Sequence, residues 1–179
     1  MTILTAYASD TSIAAVFGAV GLASQLVWPV FRDRKLILTI QLGGSCAYAA
    51  SYSAMDQETA AAVCLAGAIQ TTVALLSGDR PWLNYMGYIF LPVLLFLGVA
   101  TYSGLPTVLA ITASSLIMIG RMQADTLRMR GVQLSALPFG AAHDVVVGAW
   151  FGLAGAVTSF VIAFFALRQE QSRRRVASA

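Results

Sequence analysis

Long apolar runs, broken by short charged or glycine–proline clusters, make up almost the whole chain. They cover residues 13–31, 36–55, 59–76, 83–102, 107–120, 131–147 and 149–167, and none alternates polar with apolar positions as a membrane β-strand would. Each approaches the roughly 20 residues a helix needs to cross about 30 Å of hydrocarbon. The pattern predicts an all-α, polytopic membrane protein with seven transmembrane helices. The breaks include Arg32-Asp33-Arg34-Lys35, Asp56-Gln57-Glu58, Ser77-Gly78-Asp79-Arg80-Pro81 and Ser103-Gly104-Leu105-Pro106, with an amphipathic connector over residues 121–130. The sixth run is the least regular, because Pro138 and the pair His143-Asp144 interrupt it. A proline inside a membrane helix is tolerated where neighbours re-satisfy the freed carbonyl.

Composition agrees with the pattern. Only 11% of the 179 residues are charged and 58% are hydrophobic, with a mean hydropathy of +0.76. Soluble domains carry about 25% charged residues, so these charges are too few to coat a globular surface. Their placement predicts orientation. With the N-terminus outside, all 11 basic residues fall on the inner side, and Asp10, Asp56 and Glu58 fall outside. Cytoplasmic loops carry the excess of lysine and arginine. The expectation is therefore a multi-pass inner-membrane protein with a periplasmic N-terminus and a cytoplasmic basic tail over residues 168–179. The opening MTILTAYASD has no basic n-region of a signal peptide, so the first span is expected to stay. Cys46 and Cys64 lie in apolar runs and read as buried thiols rather than a disulfide.

The net charge of +3 needs no anionic polymer to explain it. No aromatic-studded basic face accompanies it, so nucleic acid is not an expected partner; the lipid bilayer is. One histidine, no cluster of metal ligands, no G-x-S-x-G and no P-loop argue against an enzyme. No catalytic residue, metal or cofactor is expected. Glycine-rich faces are compatible with a homo-oligomer and with close helix packing alike.

The two ends of the chain echo each other. Gln41-Leu42 and Gln133-Leu134 stand 92 residues apart, as do Ala49-Ala50-Ser51 and Ala141-Ala142-His143. Ala66-Gly67-Ala68 recurs as Ala154-Gly155-Ala156. Together with the order of spans and loops, this predicts one membrane domain built as a 3+1+3 parallel repeat. A triple-helix unit over 13–76, a linker helix over 83–102 and a second triple-helix unit over 107–167 form a plan found among small transporters.

Phe31-Arg32-Asp33-Arg34-Lys35 with Ile40-Gln41-Leu42, Ala68-Ile69-Gln70-Thr71, and His143-Asp144 with Val147-Gly148 and Gly152 carry a resemblance to the YgjV-type family of bacterial inner-membrane proteins. The resemblance spans roughly residues 21–168. Three positions depart from that family's pattern: Asp144 where asparagine is common, Gln70 where arginine is common, and Ser51 in place of an aromatic residue or histidine. The resemblance implies a fold similar to the SWEET and PQ-loop carriers, and facilitated movement of a small solute.

His143 lies thirteen residues beyond Arg130, roughly 20 Å along a helix, in the outer half of the sixth span. His143 and Asp144 read as pocket walls, as the cap of an outer turn, or as a proton-coupled pair. Neighbouring helix positions point about 100° apart, so the two cannot face one seam equally. Gln41 and Gln133 read first as amides joining helices, and second as solute contacts. Tyr48 and Tyr52, one turn apart, make either an aromatic wall or ordinary packing. The expected function is a small-solute carrier or facilitator working by alternating access, with a substrate site drawn from Tyr48, Ser51, Gln70, His143 and Asp144 and a small polar solute as ligand. The alternative is a non-transporting membrane protein acting as a structural or regulatory partner.

Overall fold

The computed structural model describes the backbone of residues 2–56, 58–77, 80–148 and 150–177. The side chains of Asp10 and Glu58, and all of Gln57, Gly78 and Asp79, lie outside the described residues. Every regular element described is helical: α1 (Thr2–Val27), a 3-10 turn (Trp28–Val30), α2 (Arg34–Ser53), α3 (Glu58–Leu76), α4 (Pro81–Tyr88), α5 (Phe90–Ala100), α6 (Leu105–Arg121), α7 (Thr126–Val147) and α8 (Trp150–Ala177). The seven apolar runs each found a helix, with α4 and α5 as two halves of one rod. That rod breaks at Ile89, whose amide bonds the Met86 carbonyl instead of continuing the α pattern. The cause is local: Pro92 has no N–H for the Tyr88 carbonyl, and its ring crowds that oxygen.

Boundaries differ from the sequence reading in informative ways. The connector expected over 121–130 shrinks to residues 122–125, because Arg121 ends α6 and Arg130 already lies inside α7. Pro138 does not interrupt α7, which runs on to Val147 and stops at Gly148 in the left-handed region, φ +72°. The apolar run at the end predicted a stop near residue 167, but α8 continues to Ala177. Glu170 and Arg174 pair one turn apart there, and Arg174 also reaches Asp125. Cys46 is exposed, not buried, and Cys64 is half-buried; both are free thiols.

Helices α1, α2 and α3 pack in series, as do α6, α7 and α8; α1 meets α8, α3 meets α6, and the α4–α5 rod lies against α3 and α6. By length and composition, two stretches suffice to cross a membrane, Ile13–Val30 and Leu153–Val176. Shorter apolar helices cover Ala60–Leu76, Tyr85–Ala100 and Leu105–Arg121. The interior mixes apolar side chains with a number of polar ones, and the outer surface is strongly apolar. Gln41, Gln70, Thr71, Arg121, Arg130, Gln133 and Ser159 are buried, whereas Phe96, Val99 and Phe165 are 71%, 77% and 66% exposed. In a protein surrounded by water the same apolar surface would be a liability.

One end of the bundle gathers the basic residues and is tightly bonded. Asp33 caps α2 by accepting from the Leu36 amide at 2.8 Å. Arg34 donates to three carbonyls: Gln123 at 2.9 Å, Arg121 at 3.0 Å and Ala74 at 3.3 Å. It thereby serves carbonyls at the C-terminal ends of α3 and α6. Arg130 donates to the Phe31 carbonyl. Asp125 caps α7 through the Leu127 and Arg128 amides and accepts from Arg174 at 2.8 Å. Beneath these bonds lies a core of Trp28, Ile37, Leu38, Ala74, Met122, Met129 and Ala163.

The Arg174 hydrogen bond, seconded by the backbone amides of α7, holds the Asp125 carboxyl below the usual carboxylate range. A depressed folded-state pKa stabilises the fold above the unfolded-state value, and that contribution disappears as pH falls through the folded-state value. Asp125→Ala is expected to cost about 1 kcal/mol at neutral pH, the usual worth of a helix cap. In thermal unfolding of detergent-purified protein, its deficit against the parent should shrink below the ordinary carboxylate range. A deficit independent of pH would remove the charge from this explanation.

Candidate functional site

Helical spacing builds a cavity among four helices, its wall largely apolar with several polar groups set into it. On α1, Ser24 and Gln25 follow Gly21 at steps of three and four, and Trp28 of the 3-10 turn continues that face; on α2, Gly44, Ser45 and Tyr48 follow Gln41 in the same way. Ile117 and Arg121 of α6, and Gln133 and Leu137 of α7, lie one turn apart and complete the lining. The cavity holds about 220 Å³.

Arg121 is its chemical centre. The last residue of α6 is only 9% exposed. Its Nε donates to Gln41 Oε1 at 3.2 Å, Nη1 to the Gly67 carbonyl at 3.2 Å, and Nη2 to Ser45 Oγ at 3.4 Å. These bonds tie α6 to α2 and α3. Gly67 leaves the room: a Cβ there would sit 3.3 Å from Nη1. Among the described residues Arg174 pairs with Asp125 and Glu170, and Asp144 lies beside His143, so Arg121 has no carboxylate partner there. Burying a charge costs several kcal/mol unless it is paired, and the neutral oxygens around Arg121 offset that only in part.

Gln41 and Gln133 bond reciprocally, Nε2 of each donating to Oε1 of the other at 3.1 and 3.2 Å. Helices α6 and α7 approach closely beside them, since a Cβ at Gly120 would fall 2.6 Å from Gln133 Cγ. Tyr48 donates to Gln25 Oε1 at 3.1 Å, linking α2 to α1.

A second, larger crevice of about 950 Å³ lies among α2, α3, α5, α6 and α7, lined in part by Tyr52, Asp56, Ser103, Thr107, Ser114 and His143. Tyr52 stacks on Tyr48, ring centroids 6.2 Å apart and planes 24° from parallel. The tyrosine pair thus belongs to both walls, one ring on each.

The five residues expected to form one site do not converge. Tyr48 lines the inner cavity. Ser51 is buried and donates to the Ala14 carbonyl at 2.7 Å, joining α2 to α1. Gln70 is fully buried and donates to the Met118 carbonyl at 2.9 Å, while its Oε1 has no partner among the described residues. His143 lines the crevice, with Nδ1 3.2 Å from Asp144 Oδ1, and Asp144 is on neither lining. Both lie in the last turns of the unbroken α7. Sequence reasoning missed Arg121 by assigning it to the amphipathic connector. The available signal was that it directly continues the apolar run, one turn from Ile117, so that extending the helix by one residue turns it inward.

A model of the Imp-YgjV family, described as bacterial inner membrane protein, matches residues 12–174. No curated protein and no solved structure matches the chain.

Replacing either glutamine by leucine should leave its partner amide buried and unsatisfied, at a cost of about 1–3 kcal/mol. Gln41→Leu should cost more than Gln133→Leu, because it also removes an acceptor from Arg121. The double variant should lose less than the two losses combined. Additive losses in thermal unfolding would show that the amides are not a bonded pair.

Proposed function

The chain belongs to the Imp-YgjV family of bacterial inner membrane proteins, and from that premise we propose a carrier for a small polar solute, working by alternating access through the cavity at Arg121. The observation that carries this reading is the pair of cavities on either side of the stacked Tyr48 and Tyr52. A chamber between helix groups that holds a few polar groups, separated by a thin aromatic partition from a crevice toward the other end, is the geometry an alternating-access device needs.

The topology we assign has seven spans, with the N-terminus periplasmic, the C-terminus cytoplasmic, and the α4–α5 rod as the fourth span. Its support is the clustering of Arg34, Arg121, Arg130 and Arg174 at one end of the bundle through the bonds described above. The 3+1+3 repeat, with the SWEET-like plan it implies, is supported by positions at one offset. Asp33 and Asp125 cap α2 and α7, and Gln41 and Gln133, 92 residues apart, bond each other reciprocally. A mutual amide pair is what two residues related by a twofold axis would make.

One observation favours the rival reading of a non-transporting partner protein: much of the interior polarity is spent on bonds between helices, Ser51 and Gln70 included. Uptake into proteoliposomes separates the two. The carrier reading expects saturable flux of at least one solute from a panel of polar metabolites. Tyr48→Ala, which thins the partition, should convert part of that flux into a non-saturable leak. No saturable flux across the panel would favour the rival.

A further inference from the structure

Arg121 lies in a cavity where each amide oxygen already accepts a hydrogen bond while several N–H and O–H donors are left over. Gln25 Oε1 accepts from Tyr48, Gln41 Oε1 accepts from both Arg121 and Gln133, and Gln133 Oε1 accepts from Gln41. Every amide oxygen on the lining is therefore engaged. On the donor side, the Arg121 guanidinium has five N–H groups, and three make the bonds described above. Ser45 accepts from Arg121 and keeps its own O–H to give. Gln25 Nε2 makes no bond among the described residues. No aspartate or glutamate lines the cavity.

From this surplus of donors around an unpaired buried cation, we propose that the cavity is an anion site, taking a small carboxylate or phosphate whose oxygens accept from Arg121, Ser45 and Gln25. The inference rests on reading this cavity as the solute site of the carrier, and it names the solute's chemical class. Planar guanidinium N–H groups match carboxylate and phosphate oxygens, and such charge-assisted bonds are stronger than neutral ones. The volume, about 220 Å³, falls below the roughly 300–1,000 Å³ of drug-sized sites and sets the ligand small. Arg34, bonded to the carbonyl of Arg121 itself, adds positive potential from the basic end. A cationic solute would meet Arg121 with no carboxylate to screen it. A neutral one would leave the buried charge unpaired.

Thermal unfolding of the full chain in an uncharged detergent tests this. The probes are sodium acetate, inorganic phosphate and the neutral isostere acetamide, at ionic strength matched with sodium chloride, with phosphatidylglycerol micelles as a further arm. We expect saturable stabilisation by acetate or phosphate and none by acetamide. Arg121→Gln should abolish it, and Arg174→Gln, at an exposed arginine, should retain it. Should Arg121→Gln fail to fold, Ser45→Ala carries the test and should weaken the apparent Kd about tenfold, the scale of one hydrogen bond to a charged group. Equal shifts with acetamide, or an undiminished anion shift in the variant that tests the site, would overturn the proposal. Stabilisation by phosphatidylglycerol alone would also overturn it, assigning the cavity to a lipid headgroup. Anion binding without saturable flux would leave this site standing and remove the carrier; saturable flux of a neutral solute without anion binding would do the reverse.

Discussion

The Arg121 guanidinium, buried at the end of α6, joins three helices of this bundle with no carboxylate partner among the described residues. Arg121 reaches from the end of α6 to Gln41 and Ser45 of α2 and to the Gly67 carbonyl of α3. Arg34 of α2 returns the connection by donating to the Arg121 carbonyl. Hydrogen bonds to a charged group contribute about 1.5–3 kcal/mol each, and desolvating the ion costs several. The bonds hold the helix ends in register, yet they leave a positive charge facing a polar chamber. Stability and incompleteness come from the same side chain.

Around that point polar groups share the interior with an apolar core. Amides, hydroxyls and arginines are buried beside Ile37, Leu38 and Leu94, and large apolar side chains such as Phe96 and Phe165 face outward. Family membership in the inner membrane gives that outer surface a fitting solvent. Lipid is as apolar as the helices, so it gives them little reason to associate, and packing and interhelical hydrogen bonds must do so. The Gln41–Gln133 pair, the Gln70–Met118 bond and the Ser51–Ala14 bond are of that kind. The basic end is densely bonded through Arg34, Arg130 and Asp125, whereas the larger crevice opens among the helices on the far side of the tyrosine pair. In the proposed carrier, rocking of the helix groups would pivot near the bonded end and act through the Tyr48–Tyr52 partition.

Much of this was legible in the letters because its causes are local. Hydrophobic runs long enough for a helix marked each helical rod, and the matched spacing of Gln41 and Gln133 pointed to an amide contact between helices that the bundle contains. Side-chain direction was less legible, because it depends on where a helix stops. Arg121 was counted as the first residue of an amphipathic connector; one further residue of α6 turned it inward. His143 and Asp144 drew notice as rare polar residues, but the 100° between neighbours put only His143 on a cavity wall. Ser51 and Gln70 were expected in a solute-site wall, but the partners that consume them, the Ala14 and Met118 carbonyls, lie 37 and 48 residues away on other helices. No local pattern encodes that.

The central claim is that Arg121 is a buried cation lacking a permanent counter-charge, and the most direct measurement supplies one. Ser45 Oγ lies 3.4 Å from Arg121 Nη2, so Ser45→Asp places a carboxylate beside the guanidinium, and Ser45→Asn offers the same shape without charge. Compared by thermal unfolding at neutral pH, the aspartate variant should be more stable than both the asparagine variant and the parent protein. An aspartate variant less stable than the asparagine one would mean that the charge is already balanced, contradicting the account.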